Sequence, residues 1–587
     1  MDTKQTNPLG VKASVWTELI AKYTEQGVAD IIDTCPYMLA VNQDVRFEII
    51  DEYVMSKVSV DTLCPVRIRN ALLYTLGAIE HGVARRGRND HFADLVCQVT
   101  GSTCIPKSRV YELIETLLDL EEGMIEMPLM DRVIRNLVSS GKISVNRLGD
   151  QVYLASRVTF TAEREAAERI CALLEMDGLV KNGDASKRAM YEAVDSAQAM
   201  TGLILSQEQK NAVCTILQNR ISVMTGGPGT GKSATQKILV ESIRILKPNA
   251  GIRCIAPTGQ AANRMAEATG CHATTIHKAL GITPEDPDSS CAALVDDFIL
   301  VDESSMIDNK VFAALLKSLS EKTSIVFIGD SEQLPSVASG NVLNSLLQSK
   351  VPCVKLTKVF RQGDSSIAFN CAKIKNGKAD LEMDESFSFI ECEDSESIKK
   401  KVCQIYAEEA AINGLDSVCC LSPFRRRTKT GVNSLNRAIR SELHDTKHLS
   451  WCERGGMRIY TGDKIVFLRN KYGLVNGMTG TAIKCTKGQC VCLFGSREIT
   501  LTGDDLECIE PSYATTVHKA QGQEYKICII VIDEAHSSFL NKGLIYTSIS
   551  RAKEKCICVG SMKAMNKAIA TGAGSDRFSA LSGLIEL

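Results

Sequence analysis

The sequence lacks a large net charge of either sign. Its 68 Lys and Arg stand against 70 Asp and Glu, a formal charge of -2. That excludes a histone-like or polybasic protein, although a local basic groove is enough to hold a nucleic acid. No run approaches the roughly 20 apolar residues a membrane helix needs, so no membrane partner is expected. The opening "MDTKQTNPLG" has no apolar stretch, and no secretory leader is expected there. Low-complexity segments and clear internal repeats are missing. The 8 histidines form no clustered metal motif, which argues against a relaxase fusion, and no nuclease-like carboxylate cluster is visible.

Cysteine, by contrast, is abundant. There are 23, an odd number, many inside apolar runs such as "VCCLS" and "CICVG". They read as reduced, buried thiols in a reducing compartment, and a cytoplasmic location is expected. The densest group, "CTKGQCVC", holds Cys485, Cys490 and Cys492. With no histidine nearby and a spacing unlike the common zinc patterns, it is read as alternating strand residues rather than a metal site.

Length suggests about four domains, and 44% hydrophobic with 24% charged residues supports packed cores. Residues 1–90 show helical apolar periodicity, as in "WTELIAKYTEQGVADIIDTCPYMLA" and "RIRNALLYTLGAIEHG". The loop "ARRGRND" breaks it. Residues 91–200 read as helices, then a strand, turn and strand in "LVSSGKISVNRLGDQVYLA", a winged-helix pattern, then a charged linker helix.

From about residue 200 the rhythm becomes strand–loop–helix. The apolar runs "ISVMTGG", "RCIAPTG", "FILVDES" and "SIVFIGD" each end in a polar loop, as buried parallel strands do. A second series starts at "VCCLSPF" and closes with "KICIIVIDE" and "KCICVGS". Between its members, residues 455–510 switch to short strands and Gly turns, an inserted β-barrel. The expected fold is α/β, with two parallel-sheet cores at 201–356 and 357–587.

"GGPGTGKS" (Gly226–Ser233) fits G-x-x-x-x-G-K-[ST] and lies between a strand and a helix, the context of a phosphate loop. Its glycines let backbone N–H groups wrap phosphate oxygens, and the helix N-terminus adds a favourable dipole. Lys232 is expected to hold the β- and γ-phosphates of ATP and Ser233 to ligate Mg²⁺. Two strand-end Asp-Glu pairs compete for the metal. Asp302 and Glu303 of "FILVDESSM" lie one strand–loop–helix unit downstream of the loop. Asp533 and Glu534 of "IVIDEAHSS" belong to the second core, which has no phosphate loop. The first pair is chosen, Asp302 for the metal and Glu303 for the attacking water; the second is read as an exposed strand end. Gln333 in "GDSEQLPSV" lies beyond a strand end, within reach of a γ-phosphate. Arg361 in "VFRQ" and Arg551 in "YTSISRAKE" are candidates to neutralise charge on the transferring phosphoryl group. The basic "PFRRRTK" (423–429) is a candidate phosphate track.

Eight stretches resemble, in order, the motifs of superfamily 1 helicases, specifically the RecD-like branch, superfamily 1B: "MTGGPGTGKS", "APTGQAANRM", "TTIHKAL", "ILVDESSM", "GDSEQLPSV", "LTKVFRQ", "YATTVHKAQGQEY" and "YTSISRAK". The N-terminal region is similar to that of long RecD-like proteins in "CPYMLA", "RIRNALLYTL" and "VYLASRVTFTAERE". The resemblance implies two RecA-like P-loop NTPase cores with ATP between them, an SH3-like barrel at about 455–510 and a pin at about 279–297, short and acidic here. Ahead of them it implies a helix-hairpin-helix-like region at 1–90, degenerate because "VNQDVRFEIIDEYV" lacks the G-x-G turn, and a winged-helix-like segment within 91–200. By the match Gln209 reads adenine, and Gly227, Gly229, Thr230, Gly231, Lys232, Ser233 and Ala234 hold the phosphates. Glu524 contacts ribose, Gln333 couples the γ-phosphate to motion, and Arg361 and Arg551 are arginine fingers. Single-stranded DNA contacts fall on Pro257, Thr258, Thr275, His277, Thr516, His518 and Lys519. The implied activity is 5′→3′ ATP-dependent translocation on single-stranded DNA and unwinding at ss/ds junctions, by a monomer, in replication, recombination or repair. Residues 1–200 are the expected surface for replisome, recombinase or single-strand-binding protein partners. The alternative is an ATP-gated subunit or protein-displacing translocase with little unwinding of its own.

Overall fold

The computed structural model describes residues 7–57, 61–82, 90–181, 183–283, 291–360, 366–426, 428–454, 456–537, 539–571 and 577–586. The expected loop at 84–90 and the middle of the expected pin, 284–290, lie outside or at the limit of these residues, as does Arg361. Among the described residues no helix is long and apolar enough to cross a membrane.

Two parallel sheets organise the chain. The first runs, edge to edge, Ala273–Thr275, Ile252–Ala256, Phe298–Val301, Ser324–Gly329, Ile221–Gly226, Cys353–Leu356. Its central strands are buried from end to end, which is why they read as continuous apolar runs. Alternate side chains feed opposite cores. Ile299, Val301, Ile325 and Phe327 enter one, while Phe298, Leu300, Val326 and Ile328 enter the other. Each such side chain contributes roughly 1.5–3 kcal/mol by leaving water. The second sheet runs Phe387–Glu391, Ala552–Gly560, Tyr525–Ile532, Val418–Ser422, Ala514–Thr516, again all parallel.

An antiparallel unit interrupts the second lobe. Its sheet runs Arg497–Thr502, Gln489–Phe494, Thr479–Thr486, Lys464–Phe467, Ile509–Pro511. A hairpin, Trp451–Arg454 with Met457–Tyr460, packs on it. The unit thus begins a few residues before the expected position 455.

The N-terminal region departs more from expectation. A single hydrophobic core joins Leu9 to Leu154 across the expected boundary near residue 90. Helices before the boundary (Pro65–His81) and after it (Lys107–Leu117, Met127–Ser139) share that core and lead to a hairpin, Ile143–Leu148 with Gln151–Ser156. The buried Arg67 guanidinium grips Asp51 at 2.7 Å, and Tyr37 donates to the same carboxylate, so neither charge is buried unpaired. The next two helices, Arg157–Leu174 and Asp184–Thr201, belong to the two cores of the first lobe.

The last described helix, Leu581–Glu586, returns from the second lobe to the first, where Leu581 and Ile585 join its core. The segment ahead of it is fastened by buried Glu163, which accepts from Ser579 Oγ at 2.6 Å and from Ala580 N–H at 3.2 Å. Phe578 O accepts from Thr103 N–H of the N-terminal unit at 2.9 Å.

Candidate functional site: a cleft between two lobes

Strand Ile221–Gly226 delivers the chain into a loop whose Gly229 and Gly231 have φ of 77° and 80°. A side chain at Gly231 would collide with Gln209 Nε2, so glycine is required there both for the turn and for the close approach. Helix Lys232–Leu246 then starts with Lys232 as its first residue. The backbone N–H groups of this turn are the unpaired donors of a helix N-terminus. Lys232 Nζ folds back to donate to the carbonyls of Gly226 and Gly227 at 2.6 and 3.1 Å.

Asp302 and Glu303 follow the buried strand Phe298–Val301. Asp302 Oδ1 accepts from the Glu303 N–H at 2.9 Å. Glu303 itself is held at φ 50°, ψ 42°, a left-handed conformation uncommon for a side chain of this size. Such strain persists only where surrounding structure enforces it, and it clusters at working sites. Burial pushes the Glu303 carboxyl above the ordinary carboxylate range; Arg551 and Lys232 oppose the shift and Asp302 and Asp330 reinforce it.

These groups line one cleft of about 350 Å³. Gly227–Ser233, Asp302, Glu303 and Gln333 face it from the first lobe, and Gly522, Glu524 and Arg551 from the second. Gln333 is buried, and its Oε1 has no hydrogen-bond partner among the described residues, so an acceptor stands ready in the wall. Arg551 is also buried. Its guanidinium donates to Thr547 O, Ser550 Oγ and Gln523 O, which braces it at the seam. Glu524 sits between Arg264 of the first lobe (3.7 Å) and Lys553 of the second (3.3 Å). Burial raises its carboxyl, but Arg264, Lys553 and Arg551 outweigh burial and hold it below the usual range. Gln209 is fully engaged within the protein. It closes the cap of helix Gln207–Gln218 with Ser206 and donates to Thr230 O at 3.1 Å, so in this conformation it braces the loop. Ala234 lies one residue beyond Ser233 in the first helical turn.

The lobes also touch directly beside the cleft. Tyr546 Oη donates to Asp330 Oδ2 at 2.8 Å, Thr547 Oγ1 accepts from Leu334 N–H at 2.9 Å, and Gln521 Nε2 donates to Leu334 O at 2.9 Å. The loop carrying Gln333 is therefore held from both sides. Tyr546 and Thr547 lie in "YTSISRAK" and Gln521 in "YATTVHKAQGQEY", but no signal in those stretches marked them as the residues that join the lobes.

The rejected pair behaves differently. Asp533 is buried, not exposed as expected. It accepts from Thr430 Oγ1 at 2.6 Å and from Ala535 N–H at 2.9 Å, while Glu534 accepts from Ser561 at 3.0 Å. Asp533 is held inside the second lobe and Glu534 is exposed, as expected; neither lines the cleft.

The stretches "TTIHKAL" and "TTVHKAQ" share Thr-x-His-Lys, and the shared sequence corresponds to a repeated local structure. Ala273–Thr275 and Ala514–Thr516 are edge strands of their respective sheets. Thr275 Oγ1 accepts from Lys278 N–H and Thr516 Oγ1 from Lys519 N–H, both at 3.2 Å. Thr258 caps helix Gly259–Thr269 in the same way, next to Pro257. His277 is exposed; His518 is half-buried, and burial followed by Arg577 pushes its pKa down. Thr516 and Lys519 open onto a groove of about 620 Å³ between the second lobe and the antiparallel unit, shared with Arg425, Arg426, Arg437 and Arg458. Burial lowers the Lys519 pKa, an effect that Glu510 opposes and Arg425 adds to. Arg425 and Arg426 come from "PFRRRTK"; Arg427 lies outside the described residues.

Two parallel-sheet lobes, a phosphate loop on one and an arginine on the other facing it, define the RecA-like helicase-type P-loop NTPase class. Comparison with known proteins gives the family. An AAA domain model matches residues 204–395 and a UvrD-like helicase C-terminal domain model matches residues 511–559. The ATP-dependent RecD2 DNA helicase of Deinococcus radiodurans is 31% identical over 375 residues, 62% of this chain and 50% of that protein. The RecBCD enzyme subunit RecD of Mycolicibacterium smegmatis is 31% identical over 408 residues, 62% of this chain and 72% of that protein. Among solved structures, Pif1 helicase from Candida albicans aligns with a TM-score of 0.41 at 18% identity, covering 62% of this chain and 96% of that one. This chain belongs to the RecD family of helicases. It spans about half the length of the Deinococcus relative.

Proposed function

We propose that this chain is an ATP-driven motor that moves 5′→3′ on single-stranded DNA and unwinds duplex at junctions. The observation that carries the reading is the shared cleft, where Lys232 of one lobe and Arg551 of the other line a single cavity with Glu303 and Gln333 between them. A triphosphate fits the loop because its backbone N–H groups and Lys232 supply the positive side of the cavity. Lys232 leaves the carbonyls of Gly226 and Gly227 to meet phosphate. Ser233 and Asp302 offer hard oxygen donors from the helix start and the strand end, a set suited to Mg²⁺, which would neutralise phosphate charge when bound. Glu303 orients water and, when ionised, takes its proton. Arg551 offsets charge developing on the phosphoryl group, and Arg361 is proposed for the same role. Gln333 reports the γ-phosphate to the loop shared with Tyr546 and Thr547. Glu524 faces the cleft where a ribose would lie, and Gln209 is assigned to an adenine edge, which it meets on releasing Ser206 and Thr230.

Closure of the cleft moves one lobe relative to the other, so strand grips at the two edge strands become a step. Pro257, Thr258, Thr275 and His277 form the grip on the first lobe. Thr516, His518 and Lys519 form it on the second, with the basic groove carrying backbone phosphates. The antiparallel unit at 451–511 is read as the SH3-like insertion. The helices and hairpin up to residue 156 are read as the degenerate helix-hairpin-helix and winged-helix region, a surface for partner proteins. A cytoplasmic monomer is proposed; the expected lobes 201–356 and 357–587 are redrawn as about 157–356 with the returning helix 581–586, and about 357–571.

The test is the ATPase rate with and without single-stranded DNA, followed by unwinding of 5′- and 3′-tailed duplexes. DNA-stimulated turnover with unwinding only from the 5′ tail supports the reading; turnover indifferent to DNA overturns it. A second reading, a subunit with little unwinding of its own, is favoured by the Mycolicibacterium relative, which is named as a subunit of the RecBCD enzyme. Strong DNA-stimulated turnover without strand separation by the isolated chain selects it.

A further inference from the structure

The antiparallel unit has an unusual core. Five of the 14 buried residues that form it are cysteines. Four of these come together from three strands: Cys452 on Trp451–Arg454, Cys485 on Thr479–Thr486, and Cys490 and Cys492 on Gln489–Phe494. The sulfurs of Cys452, Cys485 and Cys490 lie within 4.8 Å of one another. Cys485 Sγ is 3.5 Å from Cys490 Sγ; Cys492 stands outside that group of three and joins it through Cys490, 3.4 Å away, so its sulfur must move inward to complete a four-ligand set. These are not disulfides, whose sulfurs lie about 2.05 Å apart. They are close to the spacing of sulfurs around a tetrahedral zinc ion, about 3.8 Å when each Zn–S bond is about 2.3 Å.

The backbone explains the convergence. Cys485 and Cys490 face each other across a hairpin; taken as a pair, their four intervening residues reach the upper end of the two-to-four of zinc-binding turns, although the run as a whole matches no common zinc pattern. Cys492, two residues on, points to the same face, opposite the small side chain of Ala482. Cys452 arrives from the separate hairpin that packs on this sheet. The sequence run "CTKGQCVC" shows only three of the four, because Cys452 lies upstream of it.

We propose that Cys452, Cys485, Cys490 and Cys492 bind a structural zinc ion that fastens the 451–460 hairpin to the sheet. Thiolates select a soft ion such as zinc over the magnesium or calcium that carboxylates prefer, and a closed set of four ligands is the structural rather than the catalytic arrangement. On binding, each thiol releases its proton to solvent as its sulfur bonds the metal. Four thiolates and one divalent ion leave two negative charges, which the exposed Lys484 and Lys487 beside the hairpin turn partly offset. A unit this small gains from such a staple because its apolar core is limited.

The experiment is metal analysis of the full chain purified without chelator. About one zinc per chain is expected, released in step with four thiols on titration with a mercurial. Exchange into cobalt should give thiolate-to-cobalt charge-transfer bands with tetrahedral ligand-field absorption. Cys490→Ser should lose the zinc while Cys528→Ser, in the core of the second lobe, keeps it. Zinc far below stoichiometry in the wild-type chain even after incubation with zinc salt overturns the proposal, whatever the folding of the variant. So does a Cys485–Cys490 disulfide in peptide mass spectra, or unhindered alkylation of all four thiols in the native, zinc-treated protein.

Discussion

Tyr546 donates its phenolic proton to Asp330 across the boundary between the lobes, at 2.8 Å, with both residues buried. Tyr546 belongs to helix Lys542–Ser550, which also carries Thr547 and ends next to Arg551. Asp330 opens the loop that carries Gln333. One hydrogen bond therefore ties the arginine-bearing helix to the glutamine-bearing loop, and nucleotide in the cleft is expected to change it.

Tyr546→Phe keeps the ring and removes only this donor, leaving a buried carboxylate oxygen short of a partner at a cost of about 1–3 kcal/mol. A lower unfolding midpoint and weaker DNA stimulation of ATP turnover are expected, with smaller loss of basal turnover. Melting curves and paired ATPase assays check it; an unchanged midpoint with full stimulation refutes the linkage.

Lys232→Ala and Glu303→Gln should each lower ATP turnover by about 10²-fold or more, the scale of losing a positioned catalytic group. Asp533→Asn should leave turnover within a small factor of wild type while lowering stability through its bond to Thr430. Steady-state assays on all three variants decide the choice of carboxylates, and equal damage from Asp533→Asn and Glu303→Gln reverses it.

Arg551→Lys keeps a positive charge but not the planar fork. If the guanidinium acts on the phosphoryl group, turnover falls by about 10³-fold, the lower range for an arginine finger, with little change in nucleotide affinity. Fluorescent-nucleotide titration beside single-turnover hydrolysis separates the two effects.

The pH dependence follows from Glu303. Burial raises its carboxyl pKa, and the ionised form is the one that accepts a proton from water. Turnover should therefore fall as pH drops through a value above the ordinary glutamate pKa of about 4.3. For stability the sign is opposite: the raised group favours the folded state below its unfolded pKa, and that contribution is lost as pH rises through its folded pKa. A pH–rate profile whose acid limb sits at or below the ordinary glutamate value contradicts the assignment.

Lys519→Ala should weaken single-stranded DNA binding about equally for all sequences and reduce the salt slope by about one unit. Binding isotherms across a salt series test this. A sequence-dependent loss would point to base contacts in the groove instead.

Much of the architecture was legible because it is local. Buried parallel strands announce themselves as unbroken apolar runs, and the phosphate loop needs its glycines in fixed order between a strand and a helix. The repeated Thr-x-His-Lys stretches matched a repeated edge-strand cap in both lobes. What escaped depends on contacts between distant segments. The core joining Leu9 to Leu154 has no periodic signature at the junction near residue 90. Asp533 looked exposed because Thr430, its partner, lies 103 residues away. Cys452 joins its cluster only when a separate hairpin folds onto the sheet, and Tyr546 gains its meaning only from a loop on the other lobe.

The return of helix Leu581–Glu586 to the first lobe gives the second lobe two covalent attachments, one where the chain leaves after Phe360 and one where it comes back before Arg577. A body moored at two points keeps essentially one easy rotation, about the line joining them. Such a double mooring favours hinging about that line over free swivelling of the lobe.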